Sequence, residues 1–171
     1  MKGFVHVYTG NGKGKTTAAF GLALRATGAG KSVFIAQFVK GQEYSEIKSV
    51  KQYLPLIKIK QYGLECFIIN EPTQDDINIG RKGFEEVSEI IRTGEYDIIV
   101  LDEANIAIYY KLFSVVELLE VLKNKAKKTE IIITGRYAPA ELIDFADLVT
   151  EMKEVKHYYA NGVEAREGIE F

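Results

Sequence analysis

The sequence predicts an α/β fold in which a mainly parallel sheet is flanked by helices. Short apolar, β-branched segments alternate with segments of helical periodicity along the whole chain. Residues 97–101 (DIIVL) form a continuous apolar run, which is typical of a strand covered on both faces. The length of 171 residues suits one domain over 1–171, and there is no linker or internal repeat. Strands separated by helices imply right-handed crossovers and therefore parallel pairing.

The first half of the chain alternates predicted strands with predicted helices. Strands are predicted at 4–8, 32–38 and 57–62, and helices at 16–29 and 45–52. The first strand is β-branched and aromatic and runs into a glycine-rich turn. Gly28 and Gly30 are expected to close the first helix, because glycine adopts the left-handed conformation that ends helices. Pro55 marks the start of the weaker third strand.

The second half continues the alternation. A helix is predicted from just after Thr73 to near Gly94, another over 114–124, and strands over 97–101, 131–134 and 148–152. Two pairs, Thr73 with Asp76 and Ser114 with Glu117, have the spacing of a capping box, in which each side chain bonds the other residue's backbone N–H. Pro139 suits the first turn of a short helix that runs to about Phe145. Asn161 and Gly162 mark a turn.

Composition excludes several classes of function. The net charge of −2 gives the whole molecule no basic surplus for gripping nucleic acid. No signal-peptide apolar region opens the sequence and no run of about 18 apolar residues occurs, so no membrane segment is expected. Cys66 is the single cysteine, which fits a reducing cytoplasm, and such a thiol is expected to fill space rather than to catalyse.

Residues 9–17 (TGNGKGKTT) predict a phosphate-binding loop. The pattern G-x-x-x-x-G-K-[ST] is matched except that Thr9 stands at its first position. Glycines at alternate positions let the backbone curl, and the following helix N-terminus adds an anion site. In this interpretation Lys15 neutralises phosphate and the Thr16 hydroxyl holds Mg²⁺. The predicted nucleotide-binding residues are Gly10, Asn11, Gly12, Lys13, Gly14, Lys15, Thr16 and Thr17.

The alternative is a glycine-rich turn with surface lysines. It is disfavoured because a strand comes just before the loop and a helix begins at its end, as phosphate binding requires. The position of Lys13 stays open between contact with the ligand and full solvation. The loop therefore predicts a nucleoside triphosphate site that contains Mg²⁺.

Asp102 and Glu103 end the apolar strand in two carboxylates, in the manner of a Walker B segment. Ligands of parallel sheets gather at strand carboxyl ends, so both groups should face the loop. One is expected to bind Mg²⁺ directly or through water, and the other to act as a base or a second metal ligand. The sequence does not decide between these roles. A helix cap with surface charge is the alternative.

The motifs together resemble the P-loop ATP:corrinoid adenosyltransferases, the family that acts on cob(I)alamin or cob(I)yrinic acid a,c-diamide. The loop and its helix (TGNGKGKTTAAFGLALRATG) carry the first part of the resemblance. It continues through QFVKG at 37–41, VLDE at 100–103, TGR at 134–136, AELIDFAD at 140–147, VKH at 155–157 and GI at 168–169. The set covers nearly the whole chain in the right order, which makes it more specific than the loop alone.

This resemblance implies a RecA-like P-loop NTPase fold, a homodimer and a defined reaction. The Co(I) of a reduced corrinoid attacks C5′ of ATP, the tripolyphosphate leaves, and an electron-donating reductase supplies the reduced corrinoid. ATP lies reversed in the loop compared with P-loop hydrolases. Co(I) is itself a potent nucleophile, so the protein must chiefly position C5′ and stabilise charge on the leaving group. The expected catalytic residues are Lys15, Thr16 and Glu103, and the expected metal residues are Thr16, Asp102 and Glu103, with Glu103 as a Mg²⁺ ligand.

The sequence departs from the family in two places. Family members often carry a helical extension before the first strand, whereas this sequence starts almost at the strand; a more open corrinoid pocket, or one completed by another segment, is expected. The family also places a Phe-x-Trp pair after the third strand, which helps to displace the lower cobalt ligand. The matching stretch here is Phe67-Ile68-Ile69 and the chain has no tryptophan, so less efficient displacement is expected.

Two arginines are further candidates. Arg25, on the helix after the loop, is expected either at the ribose or phosphates or as a solvated helix residue. Arg136 follows a strand end and is expected either to bind nucleotide or corrinoid or to form a surface salt bridge. Gln37 and Lys40, at the end of the second strand, are weaker candidates for the same ligand side.

The histidines and a tyrosine pair leave alternatives open. His6 alternates with apolar residues in a strand and is expected to be packed rather than a ligand. His157 is either a corrinoid contact or a surface residue. Tyr109 and Tyr110 are either pocket walls or dimer contacts.

Two rival functions share the loop and the acidic pair. A RecA-like ATPase or small kinase would use Glu103 as a base and would release ADP. A non-catalytic ATP sensor or corrinoid carrier would bind ATP without forming a cobalt–carbon bond.

Overall fold

The structure, a computed structural model, describes residues 2–64, 68 and 70–171. Within this part of the chain strands and helices alternate, as the sequence predicts. The strands are β1 (Val5–Thr9), β2 (Val33–Phe38), β3 (Ile57–Tyr62), β4 (Ile98–Asp102), β5 (Glu130–Thr134) and β6 (Leu148–Glu151). The helices are α1 (Lys15–Gly28), α2 (Ser45–Tyr53), α3 (Gln74–Thr93), α4 (Ala104–Tyr109), α5 (Val115–Lys123) and α6 (Ala140–Phe145), followed by a 3₁₀ turn at Tyr158–Asn161.

The six strands form one sheet in the order β3-β2-β4-β5-β1-β6, and every neighbouring pair is parallel. This confirms the predicted α/β class and goes beyond the expectation of a mainly parallel sheet. Strand β5 lies between β1, which carries the glycine-rich loop, and β4, which carries the acidic pair. Since all strands point the same way, the residues that follow β1, β2, β4 and β5 meet at one edge.

Helices cover both faces of the sheet and create two cores. Phe34, Leu101 and Ile133 pack on one face with side chains of α3 and α5, such as Val87 and Leu118. On the opposite face, alternate strand residues pack against the small residues of α1; they include Ile35, Val100 and Ile132 beside Ala19 and Ala23. All five residues of β4 are buried, which accounts for the apolar sequence of its first four residues, Ile98–Leu101, before Asp102.

Local hydrogen bonds fix the helix ends that the sequence predicts. The Thr73 hydroxyl accepts the Asp76 N–H at 3.2 Å, while the Asp76 carboxylate accepts the Thr73 N–H at 2.8 Å. Ser114 and Glu117 form the same reciprocal pair at the start of α5. Helix α3 ends at Gly94, whose φ of 66° lies in the left-handed region that glycine adopts without strain. Both predicted capping boxes are confirmed.

Two details of the helices differ from expectation. Pro139 is the N-cap of α6 rather than a residue of its first turn, with extended backbone at φ −61° and ψ 146°. Helix α4 was not expected, because its six residues contain two β-branched isoleucines and lack a side-chain cap. It starts directly after the acidic pair and therefore belongs to the surroundings of the site.

No helix in the described residues is long and apolar enough to cross a membrane. The predictions on Cys66, Phe67 and Ile69 lie outside the described residues.

Candidate active site

The glycine-rich loop between β1 and α1 is held close to the chain that follows β6. Gly10 has a φ of 96°, and a Cβ placed on it would lie 2.5 Å from the Met152 carbonyl oxygen. A Cβ on Gly12 would meet the same oxygen at 2.7 Å. Both positions require glycine because of this close approach. The Gly12 N–H donates to the Met152 carbonyl at 2.7 Å, so this amide is already engaged and is not among those left for phosphate.

Lys15 is buried at the start of α1, where it is only 8% exposed. Its ammonium donates to the Gly12 carbonyl oxygen at 2.7 Å and so curls back over the loop. Burial lowers the pKa of Lys15, although the nearby Glu103 carboxylate opposes the shift. The first amides of any α-helix lack intrahelical partners, and at the start of α1 no capping side chain bonds to them. A buried cation and free amides together favour an anionic ligand.

Asp102 lies behind the loop, fully buried, with four side chains on its carboxylate. Its Oδ1 accepts the hydroxyls of Thr16 at 2.8 Å and Thr134 at 2.7 Å. Its Oδ2 accepts the Lys40 ammonium at 2.8 Å and the Gln37 amide at 3.1 Å. Thr16 comes from the first turn of α1, and the other four residues come from the carboxyl ends of β2, β4 and β5 or directly after them, so the cluster ties the start of α1 to three strand ends. Asp102 is thus the hub that positions the Thr16 hydroxyl.

Opposite charges set the protonation states inside this hub. Burial alone would raise the pKa of Asp102, but the Lys40 charge and the hydrogen bonds from Lys40, Thr134 and Thr16 outweigh it and lower that pKa. Burial would likewise lower the pKa of Lys40, and Asp102 and Glu103 raise it instead. Asp102 and Lys40 therefore form a buried charged pair in which each carboxylate oxygen of Asp102 accepts two hydrogen bonds.

Glu103 adopts an uncommon backbone conformation, with φ 59° and ψ 21°, as the N-cap of α4. Its N–H donates to the Thr134 hydroxyl at 3.0 Å, which fixes this conformation. The side chain lines the cavity in front of the loop. Burial, and then repulsion from Asp102, raise the pKa of Glu103. A carboxylate held beside a second buried carboxylate is a position that a cation would stabilise.

A cavity of about 870 Å³ opens in front of these groups. Its lining includes the loop residues 11–17 together with Lys40, Glu103 and Arg136. Apolar and aromatic residues also line it, namely Phe20, Val39, Tyr44, Ile68, Ile106, Tyr109, Tyr110 and Tyr137. Val39, Glu103 and Tyr137 all have positive φ angles, so three non-glycine residues with strained backbone line one cavity.

The structure brings most of the predicted site residues to this cavity. Lys13, Lys15, Thr16, Glu103 and Arg136 line it. Asp102 lies behind the wall and reaches the cavity only through its partners.

Gly10 and Arg25 are the exceptions among the predicted nucleotide-binding residues: Gly10 is not among the described residues that line the cavity, and the larger departure is that of Arg25. Arg25 lies in the last turn of α1, ten residues beyond Lys15, which is about 15 Å along the helix axis. It is not among the described residues that line the cavity.

Some of the weaker candidates line the cavity and others lie elsewhere. Tyr109, Tyr110 and His157 line the cavity, which supports the pocket-wall interpretation of the two tyrosines. His6 lies elsewhere, with its Nε2 2.7 Å from a Glu130 carboxylate oxygen. Lys40 contributes more than expected, because it pairs with Asp102 and also lies 3.3 Å from the Thr16 hydroxyl.

Sequence reasoning missed the contribution of the C-terminal residues. Gly168–Phe171 line the cavity, and the Lys13 ammonium donates to the Ile169 carbonyl oxygen and to the Glu170 carboxylate. The contacts join residues more than 150 positions apart. Only the folding of the whole sheet brings such residues together. In the sequence, the GI pair at 168–169 was the one feature that pointed to this segment, as part of the family resemblance.

The residues present fit a magnesium ion bound together with phosphate. Mg²⁺ prefers hard oxygen ligands, usually one or two carboxylates completed by water and substrate phosphates. Both oxygens of Asp102 already accept two hydrogen bonds each, whereas the Glu103 carboxylate lies in the cavity with a raised pKa. The described residues contain no cluster of three acidic, histidine or cysteine ligands.

Comparison with known proteins gives one consistent result. The family model described as ATP:corrinoid adenosyltransferase BtuR/CobO/CobP matches residues 1–171. A protein of Sinorhizobium named corrinoid adenosyltransferase is 36% identical over 180 residues, covering 99% of this chain and 81% of the relative. The Escherichia coli K12 protein of the same name is 30% identical over 177 residues, and corrinoid adenosyltransferase CobA of Salmonella typhimurium is 31% identical over 177 residues. Each covers 99% of this chain and 86% of the relative.

Proposed function

The chain belongs to the ATP:corrinoid adenosyltransferase family, and we propose that its cavity holds the triphosphate of ATP in the glycine-rich loop with C5′ towards the apolar wall. The reaction of the family is transfer of the 5′-deoxyadenosyl group of ATP to the cobalt of a reduced corrinoid. The Co(I) electron pair forms the cobalt–carbon bond, while the C5′–O bond breaks and its electron pair leaves with tripolyphosphate.

The presence of two kinds of lining group in one cavity is the observation that carries this proposal. Lys15 and the first turn of α1 provide positive charge and amide donors. Ile106, Tyr109 and Tyr137 add apolar and aromatic surface to the same cavity. The first kind of group suits a leaving triphosphate, and the second suits the flat face of a corrinoid from which water must be excluded.

The protein's own residues act by position and charge rather than by proton transfer. Lys15 stabilises the charge that develops on the leaving triphosphate. Asp102 holds the Thr16 hydroxyl through a 2.8 Å hydrogen bond and is itself neutralised by Lys40. Arg136 also lines the cavity and adds a further cation.

Magnesium is part of the proposal. Thr16 and Glu103 would hold the ion, with Asp102 orienting the Thr16 hydroxyl from behind. When bound, Mg²⁺ neutralises part of the charge on the triphosphate. The raised pKa of Glu103 supports its choice as the ligand, because a cation relieves the repulsion between the two neighbouring carboxylates.

The homodimer, the electron-donating reductase, the location in the cytoplasm and any role for Arg25 in nucleotide binding stay predictions. The ATPase, kinase and carrier alternatives are not favoured by the family match.

The direct test incubates the protein with ATP, Mg²⁺ and chemically reduced cobalamin in the dark. The spectrum of an adenosylated corrinoid should develop and should be lost on exposure to light. ATP binding without this spectral change, under conditions in which cobalamin is fully reduced, would contradict the proposed activity. A strong chemical reductant makes the outcome independent of any reductase.

A further inference from the structure

We propose that residues 166–171, here called the C-terminal strap, compete with the triphosphate for Lys13. In the absence of nucleotide Glu170 holds the Lys13 ammonium, and a bound triphosphate must displace it. The inference rests on the proposed function, because it requires the triphosphate to lie in the glycine-rich loop. It adds a built-in competitor to that site.

The contact between the strap and the loop is direct. The Lys13 ammonium donates to the Glu170 carboxylate at 2.8 Å and to the Ile169 carbonyl oxygen at 2.7 Å. The Glu170 side chain is 17% exposed and that of Lys13 is 41% exposed, so water screens the pair only in part. Two of the three donors of Lys13 are thus occupied by the strap.

The Glu170 carboxylate is held in place by Tyr158 and by Arg166 of the strap. Its carboxylate accepts the Tyr158 hydroxyl, the Arg166 N–H at 2.8 Å and the Arg166 Nε at 3.3 Å. The Arg166 guanidinium also lies over the Tyr158 ring, 4.9 Å from its centre. These bonds, led by the one from Lys13, hold the pKa of Glu170 well below its usual range. The competing group is therefore a fixed anion.

A second contact attaches the strap to helix α2, whose first residues also line the cavity. The Ser45 hydroxyl, at the start of α2, donates to the Phe171 carbonyl oxygen at 3.0 Å. The same oxygen accepts the Gly168 N–H at 2.7 Å and closes a turn within the strap. The strap thus joins the glycine-rich loop to the N-terminus of α2. Gly168–Phe171 line the cavity between these two attachments.

Competition follows from charge and from linkage. A carboxylate on Lys13 cancels one of the positive charges beside the phosphate-binding loop. If triphosphate weakens the contact between Lys13 and Glu170, that contact weakens triphosphate binding by the same factor. Because tripolyphosphate is also the highly charged product, an anion that recaptures Lys13 favours its release.

The test measures tripolyphosphate and ATP binding by calorimetry, without corrinoid. Glu170→Gln keeps the shape of the side chain and removes its charge. It should tighten tripolyphosphate binding by about twofold to fivefold, the range that a partly exposed ion pair supplies. Glu167→Gln is the matched control, since it removes the same charge from the same strap and Glu167 forms no ion pair with Lys13 within the described residues. In a Lys13→Met background, Glu170→Gln should change nothing.

Three outcomes of the binding measurements would overturn the strap proposal. These are weaker binding by Glu170→Gln, an equal effect of Glu167→Gln, and an effect that persists without Lys13. Hydrogen exchange gives a second readout, in which saturating tripolyphosphate should speed amide exchange at 166–171 and slowed exchange would contradict displacement. If Lys15→Ala binds tripolyphosphate as well as the unmodified protein, the loop assignment fails instead, and the two failures are distinguishable.

Discussion

At the residue scale, Lys15 combines burial, a position at the start of α1 and a hydrogen bond to the loop's own Gly12 carbonyl oxygen. Removing the Lys15 charge should therefore weaken ligand binding without destabilising the fold. Lys15→Ala should weaken ATP binding about 100-fold, the upper range for losing a hydrogen bond from a charged donor. Titration calorimetry measures the change. Stability should hold or rise, because burial already disfavours the charged lysine, as its lowered pKa shows.

Lys48→Ala is the control for this substitution, since Lys48 is an exposed lysine of α2. Unchanged ATP affinity in Lys15→Ala, with the control also unchanged, would remove Lys15 from the site.

The proposed role of Glu103 as a Mg²⁺ ligand can be tested by substitution. Glu103→Gln should raise the Mg²⁺ concentration needed for half-maximal activity by about tenfold, because ligand charge sets the affinity of a site for a hard cation. Glu46→Gln, a matched charge change in the same cavity, should leave the Mg²⁺ titration unaltered. Superimposable titrations for Glu103→Gln and the unmodified protein would exclude Glu103 as a ligand.

The sequence predicted the identity of these residues better than their roles. The acidic strand end by itself left Asp102 and Glu103 interchangeable, because neighbours in the chain look alike until their partners are known, and only the family resemblance favoured Glu103 as the Mg²⁺ ligand. The structure separates them through Thr134, whose hydroxyl donates to Asp102 and accepts from the N–H of Glu103. Arg25 shows a different limit of sequence reasoning. It is only ten residues from Lys15 in the chain, but the helix places it about 15 Å away along its axis.

At the scale of elements, the ends of α3 and α5 were predictable because capping is local. Each capping box joins residues three apart, so the pattern alone contains the interaction. Helix α4 was not predictable for the complementary reason. Its first turn begins from the left-handed backbone of Glu103, which is fixed by Thr134 on another strand.

The cap of α5 gives a pH-dependent prediction. A hydrogen bond from Arg81, and then those from Ser114, lower the pKa of Glu117 from 4.5 to about 2. A carboxyl whose pKa is depressed in the folded state adds stability above the unfolded value of 4.5, and that stability is lost as the pH falls towards 2. Glu117→Gln should therefore remove part of the acid sensitivity between pH 4.5 and pH 2.

Urea denaturation at pH 6 and pH 3 measures this difference. It should not exceed about 1 kcal/mol, because Glu117 and Arg81 are more than a third exposed and water screens the pair. Glu120→Gln changes the same charge in the same helix outside the cap and should leave the pH dependence as it is. Equal loss of stability in Glu117→Gln and the unmodified protein would show that the cap does not titrate in this range.

At the scale of the whole molecule, the order of the strands creates the site. Alternating strands and helices predicted a parallel sheet, but they did not predict that β5 would lie between β1 and β4. That order places Thr134 where it reaches Asp102 and brings the C-terminal strap back to Lys13. Such contacts depend on pairing between strands far apart in the chain, which no local pattern records.

The central claim is that the protein directs attack to carbon C5′ of ATP rather than to phosphorus. Phosphorus NMR of the products, recorded as the adenosylated corrinoid forms in the presence of Mg²⁺, tests it most directly. The structure and the family predict tripolyphosphate in a one-to-one ratio with the adenosylated product. ADP and inorganic phosphate as the direct products, formed whether or not reduced corrinoid is present, would contradict it.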